Sequence, residues 1–251
     1  MCAAAPYDIV YLSPHLDDAV LSCGGQIAQS ARCGGRVLIA TICAGAVVEE
    51  LRSAAAVEFG LRCGTGRNPV PARREEDMRA ASLLGADVLH GPFVDALYTF
   101  DPATGQPLYP TMHALRGAVH PLHREQLPAL VGWLGELPRY QRMIVPMALG
   151  RHVDHRLARV AAERAAGSRL AYYEDFPYAQ RWYYRCGWTR LLWGWRPETT
   201  RLAPEDVQAK ITAAAAYSSQ VRTIFGTEET LGFQIRRYVR RVGGERTWRR
   251  N

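Results

Sequence analysis

The sequence lacks the marks of membrane, fibrous and secreted proteins. No stretch of its 251 residues approaches the ~18 consecutive apolar residues of a membrane-spanning helix, and no repeat or low-complexity tract is visible. The amino terminus has neither the charged region nor the apolar stretch of a signal peptide. We therefore expect a cytoplasmic chain that forms one domain over residues 1–251, with a core of about 7–220 and a basic carboxyl-terminal extension of about 221–251.

Cysteine and glycine motifs for metals and phosphates are also missing. The six cysteines include no C-x-x-C pair and are too sparse for a disulfide scaffold, so we expect reduced thiols. No G-x-G-x-x-G or P-loop motif is present to cradle a phosphate group. These absences argue against a nucleotide-binding protein and against a small disulfide-stabilised domain.

Lysine is almost absent, although the chain is basic. Lys210 stands against 30 arginines, and the formal net charge is +7. The one dense basic run is Arg236-Arg237-Tyr238-Val239-Arg240-Arg241. Such a run can attract nucleic acid, an acidic lipid surface or a phosphorylated ligand, but it is more often the solvated face of a helix. We expect the second case here, followed by a frayed tail, with no nucleic acid as a partner.

Apolar runs of strand length alternate with helical segments along most of the chain. This alternation is typical of an α/β protein whose mainly parallel sheet is covered by helices on both faces. The predicted strands are Tyr7–Ser13, Val37–Ile42, Asp87–His90, Met143–Pro146 and Leu170–Tyr173, and the predicted helices are Asp18–Arg32, Arg74–Leu84, Arg124–Leu137 and His155–Ala166. The stretch from the second strand to Pro71 is predicted to be irregular. Gly91–His123, which holds five prolines, is predicted to be a loop outside the core.

Two short polar motifs follow predicted strands. Pro14-His15-Leu16-Asp17-Asp18 comes after the first strand, and His152-Val153-Asp154-His155 comes after the fourth. In open α/β sheets, ligands bind at the carboxyl ends of the strands. Imidazole and carboxylate groups suit zinc, and a catalytic zinc has three protein ligands and one open position. Six candidates for three ligand positions would leave three groups for proton transfer, although the aspartates could instead cap the following helix.

These motifs resemble those of the PIG-L/LmbE family of zinc-dependent N-deacetylases, which act on N-acetylglucosamine units of lipids, thiols and antibiotics. The resemblance covers roughly residues 7–220 and extends, in order and spacing, to YLS at 11–13, RREED at 73–77, GR at 150–151 and YYEDFPY at 172–178. It implies a Rossmann-like, LmbE-like three-layer α/β/α sandwich.

The resemblance also implies roles in the reaction. His15, Asp18 and His155 are the implied zinc ligands, and Asp17 is the implied general base on the attacking water. His152 is implied to stabilise the oxyanion and to protonate the leaving amine. This assignment agrees with amide hydrolysis, because zinc lowers the pKa of bound water from 15.7 toward about 7 and a poor nitrogen leaving group needs an acid.

Further implied roles concern support and recognition. Asp154 is expected to hold the distal nitrogen of a ligand histidine, and Arg73 and Asp95 are expected to contact the sugar or else to be ordinary helix-start and turn residues. The chain also departs from the common family pattern, because Leu16 stands where many members have Pro and Ala19 where many have Glu. Those departures affect the surroundings of the ligands and the substrate more than the reaction.

The sequence therefore predicts a hydrolase that removes acetyl from an N-acetylglucosaminyl-type sugar conjugate in bacterial secondary (antibiotic) metabolism. One Zn(2+) per chain is expected, another divalent metal is compatible with the motifs, and a homo-oligomer is compatible with the sequence. The nearest alternative is a zinc amidase that cleaves another amide, such as one in a thiol conjugate.

Two more distant alternatives remain. His15-x-Asp17 with a distant histidine also spells the iron-binding triad of oxygenases, although those enzymes normally have all-β folds. A non-enzymatic nucleotide- or RNA-binding protein would use the basic tail, but the phosphate motifs are missing.

Other histidines and aromatic residues are ambiguous in the sequence. His113, His120 and His123 are expected at the surface of the proline-rich loop rather than at a metal. An aromatic cluster could stack on a sugar, receive an apolar aglycone or pack a subunit interface. Its members are Phe176, Tyr178, Trp182, Tyr183, Tyr184, Trp188, Trp193 and Trp195.

Overall fold

The computed structural model describes residues 5–47, 53–65, 68–167, 170–180 and 194–250. Within them, one mixed sheet has the strand order β3-β2-β1-β4-β5-β7-β6. Its strands are β1 (Tyr7–Ser13), β2 (Val37–Thr41), β3 (Asp87–His90), β4 (Tyr140–Pro146), β5 (Leu170–Tyr173), β6 (Trp195–Thr200) and β7 (Glu245–Arg250). Strands β1 to β5 are parallel, β7 is antiparallel to β5, and β6 is antiparallel to β7. The strand order reverses between β1 and β4, which is where open α/β sheets bind ligands.

Helices cover both faces of this sheet. They are α1 (Asp18–Arg32), α2 (Ala54–Cys63), α3 (Pro69–Leu83), α4 (Pro121–Arg124), α5 (Leu127–Gly135), α6 (Val153–Ala166), α7 (Pro204–Ala215), α8 (Ser218–Ile224) and α9 (Glu228–Val242). Successive side chains of a strand point to opposite faces. Val10 and Leu12 accordingly join the apolar cluster beneath α5 and α6, whereas Tyr11 joins the cluster beneath α1, α3 and α7. The predicted three-layer α/β/α sandwich with a mainly parallel sheet is confirmed.

The described helices include none that is both long and apolar enough to cross a membrane.

Helix α1 contains two adjacent glycines in its interior, which normally weaken a helix. A Cβ on Gly24 would lie 3.0 Å from Cγ of Lys210 on α7. The glycine therefore allows α7 to pack closely against α1 on one face of the sheet.

Two stretches that were predicted to be irregular are structured. Ser53 begins α2, because its hydroxyl accepts the backbone N–H of Ala56 at 3.1 Å. Asn68 and Pro69 begin α3 five residues earlier than predicted, with the Asn68 side chain accepting the N–H of Val70 at 3.3 Å. Cap residues set these starts, and the glycines and arginines around them obscured the helical pattern.

The prediction that Gly91–His123 lies outside the core was wrong. The segment has only short helical turns, at Ala96–Tyr98 and Ala114–Arg116, and the brief helix α4. Nevertheless Leu97, Tyr109 and Leu115 are buried in the main apolar cluster. Lack of regular structure therefore did not mean lack of burial.

The carboxyl terminus also differs from its prediction. The basic run lies on α9, as expected for a solvated helix face, but no frayed tail follows within the described residues. Instead Glu245–Arg250 forms β7 and inserts between β5 and β6. In the aromatic cluster, Phe176, Tyr178 and Trp195 are described, whereas the other five members lie outside the described residues.

Candidate active site

The two polar motifs meet at the carboxyl ends of β1 and β4. β1 ends at Ser13, whose hydroxyl donates to the carbonyl of His15 at 2.6 Å and accepts the backbone N–H of Ala19 at 3.0 Å. These two bonds form the tight turn from strand to helix α1. The turn places Asp17 and Asp18 at the start of α1, facing the start of α6.

A carboxylate lies between two imidazoles at the centre of the site. Oδ2 of Asp18 is 3.1 Å from Nδ1 of His15 and 3.2 Å from Nε2 of His155. Two imidazole nitrogens and one carboxylate oxygen are donors that zinc accepts, so this set fits a divalent metal ion. His152 adjoins it, because His15, His152 and His155 each offer a nitrogen within 4.8 Å of the others.

The far nitrogen of His155 is held by a carboxylate that sequence reasoning did not assign. Nδ1 of His155 is 2.7 Å from Oδ1 of Asp175. The other oxygen of Asp175 accepts the backbone N–H of Leu149 at 2.9 Å. Such a partner fixes the tautomer and orientation of a ligand histidine. Asp175 lies two residues after the end of β5. This position near a strand end was the signal in the sequence that could have indicated a role in the site.

Asp154 holds the far nitrogen of His15. Its Oδ2 is 2.9 Å from Nε2 of His15 and accepts the backbone N–H of Ala96 at 3.0 Å. Its Oδ1 is 3.1 Å from Nε2 of His123. The prediction that His123 lies at the surface was therefore wrong, because this residue is only 3% exposed.

A hydrogen-bonded chain orients His123. The Tyr109 hydroxyl accepts the backbone N–H of His120 at 2.9 Å and is 2.9 Å from Nδ1 of His123. The hydroxyl proton can therefore point to Nδ1, which leaves the His123 proton on Nε2, toward Asp154. No local pattern in the sequence indicated this arrangement, because His123 lies 29 residues before the first residue of the second motif.

Asp17 is buried beside a guanidinium. Its Oδ2 lies 4.0 Å from Nη2 of Arg73 on α3. Burial and the neighbouring charge of Asp18 raise the pKa of Asp17 to about 7, although Arg73 opposes the shift. A carboxylate with a pKa near 7 can exchange protons at neutral pH.

The histidines differ strongly in charge. Burial would lower the pKa of His155, but Asp18 and Asp175 raise it to about 10. Burial and the charge of His15 lower the pKa of His152 to about 3. His152 is therefore neutral at pH 7. Its Nδ1 accepts the backbone N–H of Asp154 at 3.3 Å, which places the ring proton on Nε2.

The two predicted sugar-binding residues both line the cavity above this centre. Arg73 is buried, and its Nε has no hydrogen-bond partner among the described residues. Asp95 caps the turn at Ala96–Tyr98 by accepting the N–H of Leu97 at 2.9 Å, and its Oδ2 lies 3.7 Å from Nε2 of His15. The cavity has a volume of about 800 Å³.

The lead-in to the second motif is strained. Ala148 and Arg151 have φ angles of 63° and 59°, a left-handed conformation that costs a residue with a side chain about 1–2 kcal/mol. Between them, a Cβ on Gly150 would lie 2.8 Å from the Tyr178 ring. Glycine is thus needed at 150 for Tyr178 to reach the cavity wall.

Comparison with known proteins places this chain in one family. Residues 10–166, more than half of the chain, match the family described as PIG-L: GlcNAc-PI de-N-acetylase. The resemblance predicted from the motifs is confirmed. The 2'-N-acetylparomamine deacetylase of Streptomyces fradiae is 32% identical over 173 residues, which are 67% of this chain and 56% of that enzyme. The matched region thus spans little more than half the length of this relative.

Two solved structures are similar over nearly the whole chain. The zinc-inhibited form of teicoplanin deacetylase Orf2 is 29% identical with a TM-score of 0.77, over 96% of this chain and 97% of that one. The A40926 pseudoaglycone deacetylase Dbv21 is 30% identical with a TM-score of 0.72, over 98% and 97%. These similarities agree with the three-layer fold, and both relatives are deacetylases.

Proposed function

Because the chain belongs to the PIG-L family, we propose that it hydrolyses the acetamide of an N-acetylglucosaminyl-type sugar conjugate in the biosynthesis of a bacterial antibiotic. The similarity to deacetylases for teicoplanin, the A40926 pseudoaglycone and 2'-N-acetylparomamine supports the reaction and the setting. The single observation that carries the proposal is the Asp18 carboxylate between His15 and His155, with Asp17 adjacent. That the reaction takes place in the cytoplasm remains a prediction from the sequence.

We propose that His15, Asp18 and His155 hold one zinc ion. Their donors fit it in kind and number, and Asp154 and Asp175 hold the far nitrogens of the two histidines. When bound, the ion supplies a Lewis acid that polarises a carbonyl and acidifies water. Another divalent metal is compatible with this nitrogen and oxygen set.

Asp17 is the proposed general base. It neighbours Asp18 in sequence but is not one of the three donors, so its carboxylate is available to take a proton from the attacking water. A pKa of about 7 allows it to accept that proton at neutral pH and to release it again. Arg73 keeps part of the population ionised, because its positive charge opposes the upward shift.

His152 is the proposed oxyanion stabiliser. As a neutral ring with its proton on Nε2, it can donate an N–H to the oxygen that gains charge in the transition state. The acid role implied for His152 does not fit this ring, because its pKa of about 3 lies far below that of Asp17 and its Nδ1 already accepts the N–H of Asp154. We therefore propose that Asp17 passes the proton that it took from water to the leaving amine, and that Arg73 and Asp95 contact the sugar.

Acetate release tests this function. The panel contains free N-acetylglucosamine and its inositol-linked, nucleotide-linked and antibiotic-linked conjugates, assayed with metal-quantified wild type and with Asp17→Asn. We expect release from at least one conjugate, a loss of about 10²–10⁴-fold in the variant, and unchanged bound metal. Asp101→Asn, which is partly exposed and does not line the cavity, is the matched control and should behave as wild type.

Two results would contradict the proposal. Bound zinc without acetate release from any sugar would favour the alternative of another amide, such as one in a thiol conjugate. Absence of bound metal in the purified chain after zinc addition would remove the basis of the site itself.

A further inference from the structure

The cavity is larger than its reactive floor requires. A volume of about 800 Å³ lies within the roughly 300–1,000 Å³ range of sites that enclose a drug-sized ligand. The groups proposed to act on the acetamide and sugar are confined to the floor, which β1, β4 and the starts of α1 and α6 form. The remaining wall is built from the carboxyl-terminal helices α8 and α9, from α2, and from the turn at Ala114–Arg116.

Charge is segregated along the depth of this cavity. The carboxylates among its lining residues, those of Asp17, Asp18 and Asp95, all belong to the floor. The lining residues at the mouth include four exposed arginines: Arg62, Arg116, Arg237 and Arg241. None of the described lining residues is an exposed carboxylate. A cationic ligand would therefore meet repulsion at the mouth, whereas an anionic group would be attracted.

The mouth also presents exposed apolar side chains. Phe233 is 63% exposed, Ile224 is 40% exposed and Met112 is 39% exposed, and all three line the cavity. Large apolar side chains in contiguous exposed positions often mark a binding surface. They surround the same opening as the arginines, so one ligand could contact both kinds of group.

The basic run on helix α9 does not all face the cavity, because the helix has three different faces. Phe233 and Arg237 are four residues apart and share the helix face that lines the cavity. Ile235 and Tyr238 occupy the buried face. Arg236 is exposed but does not line the cavity. The helix thus has an inner face, a ligand face and an outer solvated face.

Two of the mouth arginines are held in place by the structure. Arg241 donates to the carbonyls of Gln180 and Ala179, both at 3.2 Å. The guanidinium of Arg116 lies 5.6 Å from the centre of the Tyr178 ring. These contacts hold both guanidinium groups against the turn Tyr178–Gln180, with Arg237 on α9 one turn before Arg241.

We propose that the mouth binds the aglycone of the conjugate, and that this aglycone is apolar and carries an acidic group, either a carboxylate or a phosphate. Arg237 supplies the principal charge contact and Phe233 the principal apolar contact. This inference rests on the proposed function, and it selects anionic, amphipathic conjugates over cationic ones.

Aryl N-acetylglucosaminides that differ in one para substituent provide the test. The substituents are carboxylate, phosphate, methyl ester and trimethylammonium, and kcat/KM is measured from acetate release at low salt. We expect the wild type to prefer an anionic substrate over the ester by about two- to fivefold, the range of one exposed ion pair, and to process the ammonium compound most slowly. The preference should shrink at high salt, and comparison of carboxylate with phosphate identifies the acidic group.

Variants assign the effect to the two residues. Arg237→Gln should abolish the charge preference through KM, with kcat retained, and Arg237→Glu should reverse it. Phe233→Ala should lower kcat/KM for all four compounds by about three- to tenfold. Arg236→Gln removes the same charge from the outer face of α9 and should leave the preference intact. An equal effect of Arg236→Gln, or equal rates for all substituents, would overturn the inference.

Binding measurements separate failure of this inference from failure of the proposed function. Calorimetric titration of the corresponding deacetylated glycosides reports the aglycone contact without any reaction. If binding is charge-selective and needs Arg237 but no compound releases acetate, the proposed hydrolysis is overturned, whereas the proposed binding of the aglycone at the mouth is supported. No selectivity in either assay would overturn the inference. Co-sedimentation with anionic phosphatidylserine vesicles that depends on Arg237 and Phe233, without aglycone selectivity, would also overturn it in favour of a membrane-docking surface.

Discussion

The parallel part of the sheet and the carboxyl-terminal region contribute in different ways. The reactive groups follow β1 and β4, and the carboxylate of Asp175, which holds His155, follows β5. The region 194–250 adds two antiparallel strands and three helices, and its side chains enter the cavity from α8 and α9. The family match likewise covers residues 10–166 and ends before this region. The comparison teaches that the reactive groups follow the parallel strands, whereas Arg237 and Phe233, the two residues proposed to choose the aglycone, lie on a helix outside the family match.

Removing the central carboxylate should have the largest effect. Asp18→Ala leaves His15 and His155 without the oxygen between them, so we expect loss of bound metal and acetate release at background level. Metal content per chain and single-turnover assays measure both. Asp101→Ala, at a partly exposed position outside the cavity lining, should retain full metal. A variant that still binds one ion tightly would show that His152 replaces Asp18 as a ligand.

Asp17, next to Asp18, should make kcat/KM depend on pH, and its replacement should not remove the metal. If Asp17 is the base, kcat/KM should rise with pH as this carboxyl loses its proton, by about tenfold per unit below its pKa, which is about 7 in the metal-free protein and lower beside a bound cation. Asp17→Asn should remove this limb of the profile as well as most of the rate. A wild-type rise that persists unchanged in the variant would assign the titration to another group.

The same shift predicts an effect on stability. The folded-state pKa of Asp17 is above its usual 3.8, so the protonated form favours folding. That contribution is complete below about pH 4 and is lost as pH rises through about 7. Metal-free Asp17→Asn should therefore be more stable than metal-free wild type at pH 8, with the difference vanishing near pH 4 in denaturant titrations.

Breaking the buried ion pair between Lys210 and Glu245 should destabilise the protein, because this pair ties the carboxyl-terminal region to the rest of the fold. Nζ of Lys210 lies 2.6 Å from Oε1 of Glu245, and that carboxylate accepts the backbone N–H groups of Gly25 and Gln26. Lys210→Met leaves a buried charge, which costs about 3–5 kcal/mol. Urea unfolding should show this loss, while the folded fraction retains its kcat. Lys210→Met with Glu245→Gln should recover part of it, and no recovery would contradict the charge explanation.

A smaller effect is expected behind the ligand histidine. Asp175→Asn keeps the shape of the side chain but weakens the hydrogen bond to His155, so metal affinity should fall about 10–100-fold. Competition with a chelator measures the change. Glu174→Gln, one residue earlier and bonded to Tyr238 and Trp248 instead, is the control. Equal losses in the two variants would indicate general destabilisation.

The smallest effect concerns backbone strain beside the second motif. Ala148→Gly relieves a left-handed φ of 63°, a gain of about 1–2 kcal/mol that the extra entropy of glycine reduces by about 0.5–1 kcal/mol. We expect unfolding to require slightly more denaturant, with activity unchanged. A loss of stability would mean that the Ala148 methyl packing outweighs the strain.

Local patterns predicted much of the parallel sheet. The bounds of β1, α1, β3 and β5 match their predictions, because each is a short apolar or amphipathic run between clear breakers. The two polar motifs were found because each follows one of the predicted strands. Helix α2 and strand β7 were not predicted. Helix α2 leaves Val57 and Leu61 exposed and so lacks a clear apolar face, and the mostly polar β7 becomes ordered by pairing with β5 and β6.

By itself, the sequence determined that His15, Asp18 and His155 would approach one another, because parallel strands end at one edge and the motifs follow β1 and β4. Only the tertiary structure decided which groups surround them. Asp175 reaches His155 and His123 reaches Asp154 across loops whose course depends on packing. The tertiary structure also brought α9 to the cavity mouth. Neighbours in sequence are fixed by covalent geometry, whereas contacts between distant segments depend on burial of the whole core.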